Sequence, residues 1–354
     1  MTGHPRPAGR ARSRGGRRRG AWPAAALVAG WLLSGCAGSS GSAEELTLYN
    51  GQHVQTTDAL VSAFEQATGI TVNVRSDDED TLADQIVAEG ARSPADVIYT
   101  ENSPALEYLQ SKDLLAPVDA STLADTPKAY SSPEGDWVGV SARVSVLIYN
   151  PSLIAASRLP TSVLQLAGPE YQGELAIAPG ETDFQPIVTS VARAYGTAAA
   201  LTWLEGLRTN AGSHVYPDNE TIAADVNRGE VAFGIVNQYY WYRLAAEVGA
   251  SNVHSKIAYF APRDPGYVLD VSGAAQLRSS AHGSAAQRFL AFLVSRQGQE
   301  IIARSDSFEY PIASGVTTAQ PETPFDDLQP NAITIPELGD GSGAISLLQQ
   351  AGLL

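Results

Sequence analysis

A chain of 354 residues that is 44% apolar and 17% charged has the length of about two domains and enough apolar side chain to bury a core, which argues against wholesale disorder. Its net charge of −15 hides an asymmetry: residues 1–36 hold seven arginines and no acid, and the rest of the chain sixteen basic against thirty-eight acidic residues, a net −22. A body that acidic repels a phosphate backbone, which excludes a nucleic-acid binder, and a single cysteine, Cys36, excludes an intrachain disulfide or a cysteine-rich metal site.

Residues 1–21 are rich in Arg, Gly and Pro, and the apolar stretch Ala24 to Leu33 has the length of a signal-peptide core, too short to span a bilayer as a mature helix. It ends Leu33-Ser34-Gly35-Cys36, which resembles the lipobox of bacterial lipoproteins: an apolar residue, two small residues, then the cysteine that receives the lipid. That resemblance implies a signal peptide over 1–35, lipidation at Cys36, a Ser/Gly-rich tether over 36–45 and a mature domain held outside the cytoplasmic membrane by acyl chains. An ordinary signal peptide with an incidental cysteine is the alternative.

The mature chain alternates strands and helices. Leu46 to Asn50 reads as a strand that runs into the polar turn Asn50-Gly51-Gln52-His53. Thr57 to Thr68 has helical spacing, with Leu60, Val61 and Phe64 on one face and Gly69 as its stop. A strand at Ile70 to Val74, a helix at Thr81 to Glu89 with Leu82, Ile86 and Val87 inward, a buried-type strand at Ala95 to Thr100 and a helix from Pro104 to Gln110 follow. Trp137 to Tyr149 is a long valine-rich extended run that passes from one lobe to another. Then come a strand at Leu175 to Ala178, helices at Phe184 to Tyr195 and Ala198 to Arg208, a buried strand at Val231 to Val236 and a helix from Gln238 to Val248. Tyr267 to Ala275 is extended again, and Ser284 to Arg304 reads as one amphipathic helix bearing Phe289, Phe292, Leu293 and Ile301. Such alternation predicts mainly parallel sheets with helices on both faces.

The extended runs at 137–149 and 267–275 bracket a middle block with its own strands and helices. The simplest arrangement is two α/β lobes joined by two crossing strands, with a hinge that closes a cleft around a ligand. Ligands in open α/β sheets sit at the carboxyl ends of strands, and three of those ends carry possible metal ligands: His53, Glu101, and Tyr239-Tyr240 within Asn237-Gln238-Tyr239-Tyr240. No G-x-S-x-G elbow, P-loop, H-E-x-x-H or G-x-G-x-x-G occurs, so the chain reads as a binding protein and not an enzyme. His214, His254 and His282 lie in polar, loop-like contexts and read as surface residues.

The motifs Tyr49-Asn50-Gly51-Gln52-His53, Arg92-Ser93-Pro94-Ala95-Asp96-Val97, Tyr99-Thr100-Glu101-Asn102, Asn237-Gln238-Tyr239-Tyr240-Trp241, Arg263-Asp264-Pro265-Gly266 and Ser272-Gly273-Ala274-Ala275 occur in this order. Over nearly all of residues 46–318 the chain resembles the bacterial periplasmic ferric-ion-binding proteins that feed iron ABC importers. The resemblance implies a type II periplasmic-binding-protein fold, with lobe 1 from 46–142 and 270–318 and lobe 2 from 143–269 and 319–354. It implies Fe(III) held by His53, Glu101, Tyr239 and Tyr240, a permease partner and a monomeric, extracytoplasmic, lipid-anchored protein.

The chemistry of that ligand set is consistent: Fe(III) is small and hard, and two phenolates with a carboxylate offset its three charges. Free tyrosine ionises near pH ~10, but a trivalent metal displaces the phenol proton. At a helix start adjacent side chains diverge by about 100° and amide dipoles favour anions, so two consecutive tyrosines can reach one ion there.

In the family an exogenous anion, phosphate or carbonate, completes the iron shell. The corresponding positions here are Asn102, Asn219, Asn237 and Gly180-Glu181-Thr182, with Arg143 and Arg263 as counter-charges near the hinge. The sequence departs from the family at this point. A small Thr-Ser-Gly-Ala turn is usual, and this chain has Pro179-Gly180-Glu181-Thr182-Asp183, whose two carboxylates repel phosphate unless they point away. Asn102 stands where glutamine is usual. Other solutes (a polyamine, thiamine or a phosphonate), whose sites do not need this set of four ligands, and a metal-dependent hydrolase or oxidase, which needs a general base near an open metal position that no residue here is clearly placed to supply, are the alternative readings.

Overall fold

A computed structural model describes residues 44–318 and 323–354. The expected signal peptide, Cys36 and the tether up to residue 43 lie outside the described residues, among which no helix is long and apolar enough to cross a membrane.

The first part of the chain alternates strand and helix: β1 (Glu45–Gly51), α1 (Val54–Thr68), β2 (Thr71–Ser76), α2 (Glu79–Glu89), β3 (Val97–Thr100) and α3 (Ser103–Ser111). β1 lies parallel to both β2 and β3. Its period of two sends Leu46 and Leu48 into one core with Leu60 and Phe64 of α1, while Tyr49 enters the opposite core with Leu82 and Ile86 of α2. Helices on both faces bury the sheet on both sides, as parallel strands require. Gly69 ends α1 in the left-handed region at φ 73°, with its amide donating to the Glu65 carbonyl at 2.8 Å.

After the short helix α4 (Ala120–Ala124), the long run becomes β4 (Val138–Tyr149), twelve residues, all buried. It changes partners part way. Residues 138–144 pair antiparallel with β8 (Leu269–Gln276), and residues 145–149 pair antiparallel with β6 (Phe233–Asn237). Between these come β5 (Leu175–Ala176), α5 (Phe184–Tyr195), α6 (Thr197–Ala211) and α7 (Asn219–Arg228); α8 (Gln238–Val248) and β7 (Lys256–Ala258) follow β6. The strand order is β2-β1-β3-β8-β4-β6-β5, with β7 and β9 (Tyr310–Pro311) also pairing with β4. α11 (Ile335–Leu338) packs against α3 and α5, and α12 (Ser342–Gln350) against α5 and α6.

Three expectations need correction. The strands are not mainly parallel: β1 pairs parallel with β2 and β3, and β5 with β6, but β3 pairs antiparallel with β8, and β4 pairs antiparallel with β6, β7, β8 and β9. The segment 284–304 is not one helix but α9 (Gly283–Val294) and α10 (Arg296–Arg304), broken at Ser295, which is extended at ψ 160°. The Ser295 hydroxyl accepts from the Gly298 amide at 3.2 Å and caps the second helix, a local competition that hydrophobic spacing does not register. α7 was not expected from the pattern, because its apolar face is thin, with Ile222, Ala223 and Val226 buried. Its signal is in the caps: Asp218 accepts from the Thr221 amide at 2.6 Å, and Gly229 closes it at φ 79°.

Candidate metal centre

Three chain reversals bring the expected side chains together. His53 follows β1 as the N-cap of α1, Glu101 follows β3, and Tyr239 and Tyr240 stand in the first turn of α8, directly after β6. His53 Nδ1 lies 2.7 Å from Glu101 Oε1. The His53 ring meets the Tyr239 ring edge-on at 5.1 Å, and the two tyrosine rings lie 4.2 Å apart. Both phenols are buried, and both hydroxyls donate to one atom, Asp183 Oδ2, each at 3.0 Å. A helix start thus does what a strand cannot: it aims consecutive side chains at a single point.

Asp183, expected from the sequence only as a carboxylate that repels phosphate, stands at the centre of this cluster. It sits at the N-cap of α5, where an aspartate ordinarily accepts from amides of its own helix, yet it makes no such bond. Its carboxylate instead gathers the two phenols, Asn219 Nδ2 at 3.3 Å and Asn102 Nδ2 at 3.2 Å. Asn102 also donates to Thr182 Oγ1 at 3.2 Å and to Glu79 Oε1 at 3.0 Å, and its backbone amide donates to Glu79 Oε2 at 2.9 Å. Two of the asparagines expected to hold an exogenous anion therefore hold a carboxylate of the protein.

Arg143 is fully buried on β4 and donates to Glu309 and, at 3.1 Å, to Asn102 Oδ1. Its guanidinium lies 5.8 Å from the Tyr239 ring centroid, within cation–π range. Arg263, the other expected counter-charge, is not part of this cluster: it is exposed, with φ 68°, and donates to the Pro330 carbonyl at 3.1 Å. Asn237 is buried as the N-cap of α8, but its side chain makes no capping bond. Gly180, Glu181 and Thr182 line an open cavity of about 750 Å³ together with His53, Glu101, Tyr240 and Arg243. Burial, then Asp183 and Glu220, push Glu181 up to about 8.

The electrostatics favour a cation. Burial, then the charges of Asp183 and Glu101, push both phenols well above the usual tyrosine value, so without a metal they stay protonated and act as donors. Burial works against a charged Glu101, but His53 and then Arg143 outweigh it and hold its carboxyl below the usual value. Burial also works against charge on His53, and Glu101 and Glu309 overcome it, so its pKa is raised. The carboxylates of Glu101, Asp183 and Glu309 thus gather around Arg143 and His53, with the Arg243 guanidinium 6.0 Å from the Tyr240 ring centroid. His53 Nε2 is buried without a hydrogen-bond partner, 3.8 Å from Glu309 Oε1. Among the described residues no three His, Cys, Asp or Glu side chains are placed to hold a metal. A cation here depends on the phenol oxygens, and hard oxygen donors in a field short of positive charge suit a small, highly charged ion.

Comparison with known proteins gives the family. The model of the bacterial extracellular solute-binding proteins matches residues 92–334. The chain is 36% identical over 332 residues to the Fe(3+)-binding periplasmic protein of Serratia marcescens, an overlap of 94% of this chain and 97% of that one. In structure it is similar to iron-bound HitA from Pseudomonas aeruginosa, with a TM-score of 0.83 and 41% identity over 88% of this chain and 100% of the other. It is also similar to IdiA (FutA) of Trichodesmium in complex with iron and citrate, with a TM-score of 0.77 and 28% identity over 88% and 100%.

Proposed function

Because the chain belongs to the bacterial extracellular solute-binding proteins, and within them to the ferric-ion-binding periplasmic proteins, we propose that it captures Fe(III) outside the cytoplasmic membrane and delivers it to the permease of an ABC importer. The fold is the two-lobe type II periplasmic-binding-protein fold. His53, Glu101, Tyr239 and Tyr240 are the ligands in this reading. The observation that carries it is the convergence of two adjacent buried phenols on one point beside the His53–Glu101 pair. Phenolate and carboxylate oxygens neutralise the ion, and the imidazole adds a neutral nitrogen.

In this reading lobe 1 comprises 46–142 and 270–318 and supplies His53 and Glu101, while lobe 2 comprises 143–269 and 319–354 and supplies Tyr239 and Tyr240. The partner switch of β4 between Val144 and Ser145 supports a crossing there. Iron then bridges the lobes and holds the cleft shut. The test is metal analysis of protein purified without chelator, with its visible spectrum and small-angle scattering before and after iron removal. Equimolar iron, a visible phenolate-to-iron band and expansion on removal are expected. Protein that neither carries nor takes up Fe(III) would sink the proposal, and iron binding without a change of shape would remove the closing hinge.

The anchor is proposed on the lipobox alone. Cys36→Ser should release the protein from membranes or block its processing, read by fractionation and intact mass. Normal processing and unchanged membrane retention in that variant would rule lipidation out.

A further inference from the structure

We infer that Glu309 is the positioning residue of the histidine ligand: its carboxylate accepts a hydrogen bond from His53 Nε2 when iron is bound and so commits Nδ1 to the metal. The inference rests on the iron-capture reading above and goes beyond it by naming the nitrogen that binds and the carboxylate that selects it.

The backbone of His53 is fixed at both ends. Its carbonyl accepts from the Thr57 amide at 3.0 Å, and its own amide donates to Gln52 Oε1 at 2.7 Å. The other end of the Gln52 side chain donates to Ser272 Oγ at 2.8 Å and to Glu309 Oε2 at 3.2 Å. What remains open is which ring nitrogen faces the metal, and that is set by the bond the other nitrogen makes. Nδ1 lies 2.7 Å from Glu101 Oε1. Neighbouring ligands of a small octahedral ion with bonds of about 2.0–2.1 Å lie about 2.8–3.0 Å apart, so Nδ1 stands close to ligand spacing from Glu101. Nε2 is buried without a hydrogen-bond partner, 3.8 Å from Glu309 Oε1. A shift of about 1 Å brings that pair into hydrogen-bond range.

Glu309 is held where this role needs it. It directly precedes β9, whose pairing with β4 sets Tyr310 opposite Ala142 and so brings Glu309 beside Arg143. Arg143 donates to one of its oxygens and the Ser141 hydroxyl, at 2.5 Å, to the other. Only 2% of Glu309 is exposed, so water does not compete for it. An ion pair with Arg143 alone needs neither the imidazole nor Gln52, yet Glu309 reaches the ring of His53 directly and its backbone through Gln52. A carboxylate behind a metal-bound imidazole fixes the tautomer and raises the basicity of the coordinating nitrogen.

The protons balance. In the empty site Nδ1–H donates to Glu101. As iron enters, that proton leaves to bulk water, Glu101 turns from acceptor to ligand, and the Nε2 proton stays between the ring and Glu309.

The experiment loads the protein, labelled with 15N-histidine, with Ga(III), a trivalent ion without unpaired electrons, and reads the imidazole nitrogens by NMR. The His53 signals are those missing from His53→Ala. Nδ1 should appear as the metal-bound nitrogen, and Nε2 as an N–H whose proton exchanges slowly with water. Fe(III) affinity, by competition with a hydroxamate chelator, should fall about 10–100-fold in Glu309→Gln, but by less than about threefold when the same change is made in the His53→Ala background. Nε2 bound to the metal, an Nε2 proton in fast exchange, or an equal loss in both backgrounds overturns this inference and leaves iron capture standing. Should Glu309→Gln fail to fold, the gallium spectrum of the wild type decides alone. Protein that takes up neither Fe(III) nor Ga(III) defeats both readings.

Discussion

Replacing Tyr239 or Tyr240 by Phe should lower Fe(III) affinity by about three orders of magnitude or more, a loss above about 4 kcal/mol, and should shift or abolish the visible iron band. The ring and its packing survive the change. What goes is one oxygen, and with it a charge that only the metal-loaded state uses. Without metal the cost is modest: Asp183 Oδ2 keeps the other phenol and Asn219, so the variant loses one buried hydrogen bond, about 1 kcal/mol. The pH dependence gives a second readout. Burial and the neighbouring carboxylates hold both phenols protonated when no metal is bound, far above neutral pH. The loaded state therefore carries fewer protons than the empty one, and affinity must rise with pH and fall in acid, by about tenfold per pH unit for each phenol released. Each Tyr→Phe variant should release one proton fewer on loading than wild type in a weakly buffered titration. His53→Ala should cost less, since water can replace a neutral ligand. An indispensable His53 beside a silent tyrosine would refute the ligand assignment.

Much of the architecture was legible because it is written locally. α5 and α8 begin and end where their apolar spacing places them, and β4 announced itself as an extended run too long for one sheet. His53, Glu101, Tyr239 and Tyr240 lie together because strand ends in an α/β sheet converge. What stayed hidden depends on partners remote in sequence. Asp183 looked like an obstacle to an anion, and only the fold reveals that α5 delivers it onto the phenols of α8, fifty-six residues later. Glu309 was invisible as the partner of Arg143, because no local pattern links a residue before the C-terminal segment to the middle of β4. Arg263 went the other way: a family-like motif placed it near the hinge, while its left-handed backbone and the Pro330 carbonyl hold it at the surface. The break at Ser295 fell to a side-chain hydroxyl that competes with helix continuation, a signal weaker than the hydrophobic stripe running through it.

Arg143→Met should be among the most destabilising single changes in the described chain. Arg143 has no solvent exposure, and Glu309 retains only 2%. Around Glu309 stand Ser141, whose hydroxyl donates at 2.5 Å, and Gln52, whose amide donates at 3.2 Å, neither of which carries charge. Removing the guanidinium leaves the buried carboxylate with only His53 Nε2, 3.8 Å away, as a counter-charge, which costs up to about 3–5 kcal/mol of unfolding free energy, and it frees Asn102 Oδ1 from its donor. Methionine keeps most of the volume, so the loss is electrostatic and not a cavity. That makes the claim separable by a second change: Glu309→Gln in the Arg143→Met background should recover more than about 1 kcal/mol, a coupling typical of groups in contact. Iron should respond in the opposite sense. Without Arg143 the centre is one positive charge poorer, so a trivalent cation gains attraction, and saturating Fe(III) should raise the melting temperature of the variant by more than it raises that of wild type. Denaturant unfolding of the metal-free single and double variants, with melting curves at matched iron saturation, tests both halves. A variant within about 1 kcal/mol of wild type would mean that the Glu309 carboxylate finds its charge balance elsewhere. A smaller iron-induced shift than in wild type would mean that Arg143 serves the metal by holding Asn102 and Asp183 in place more than it opposes the metal by its charge.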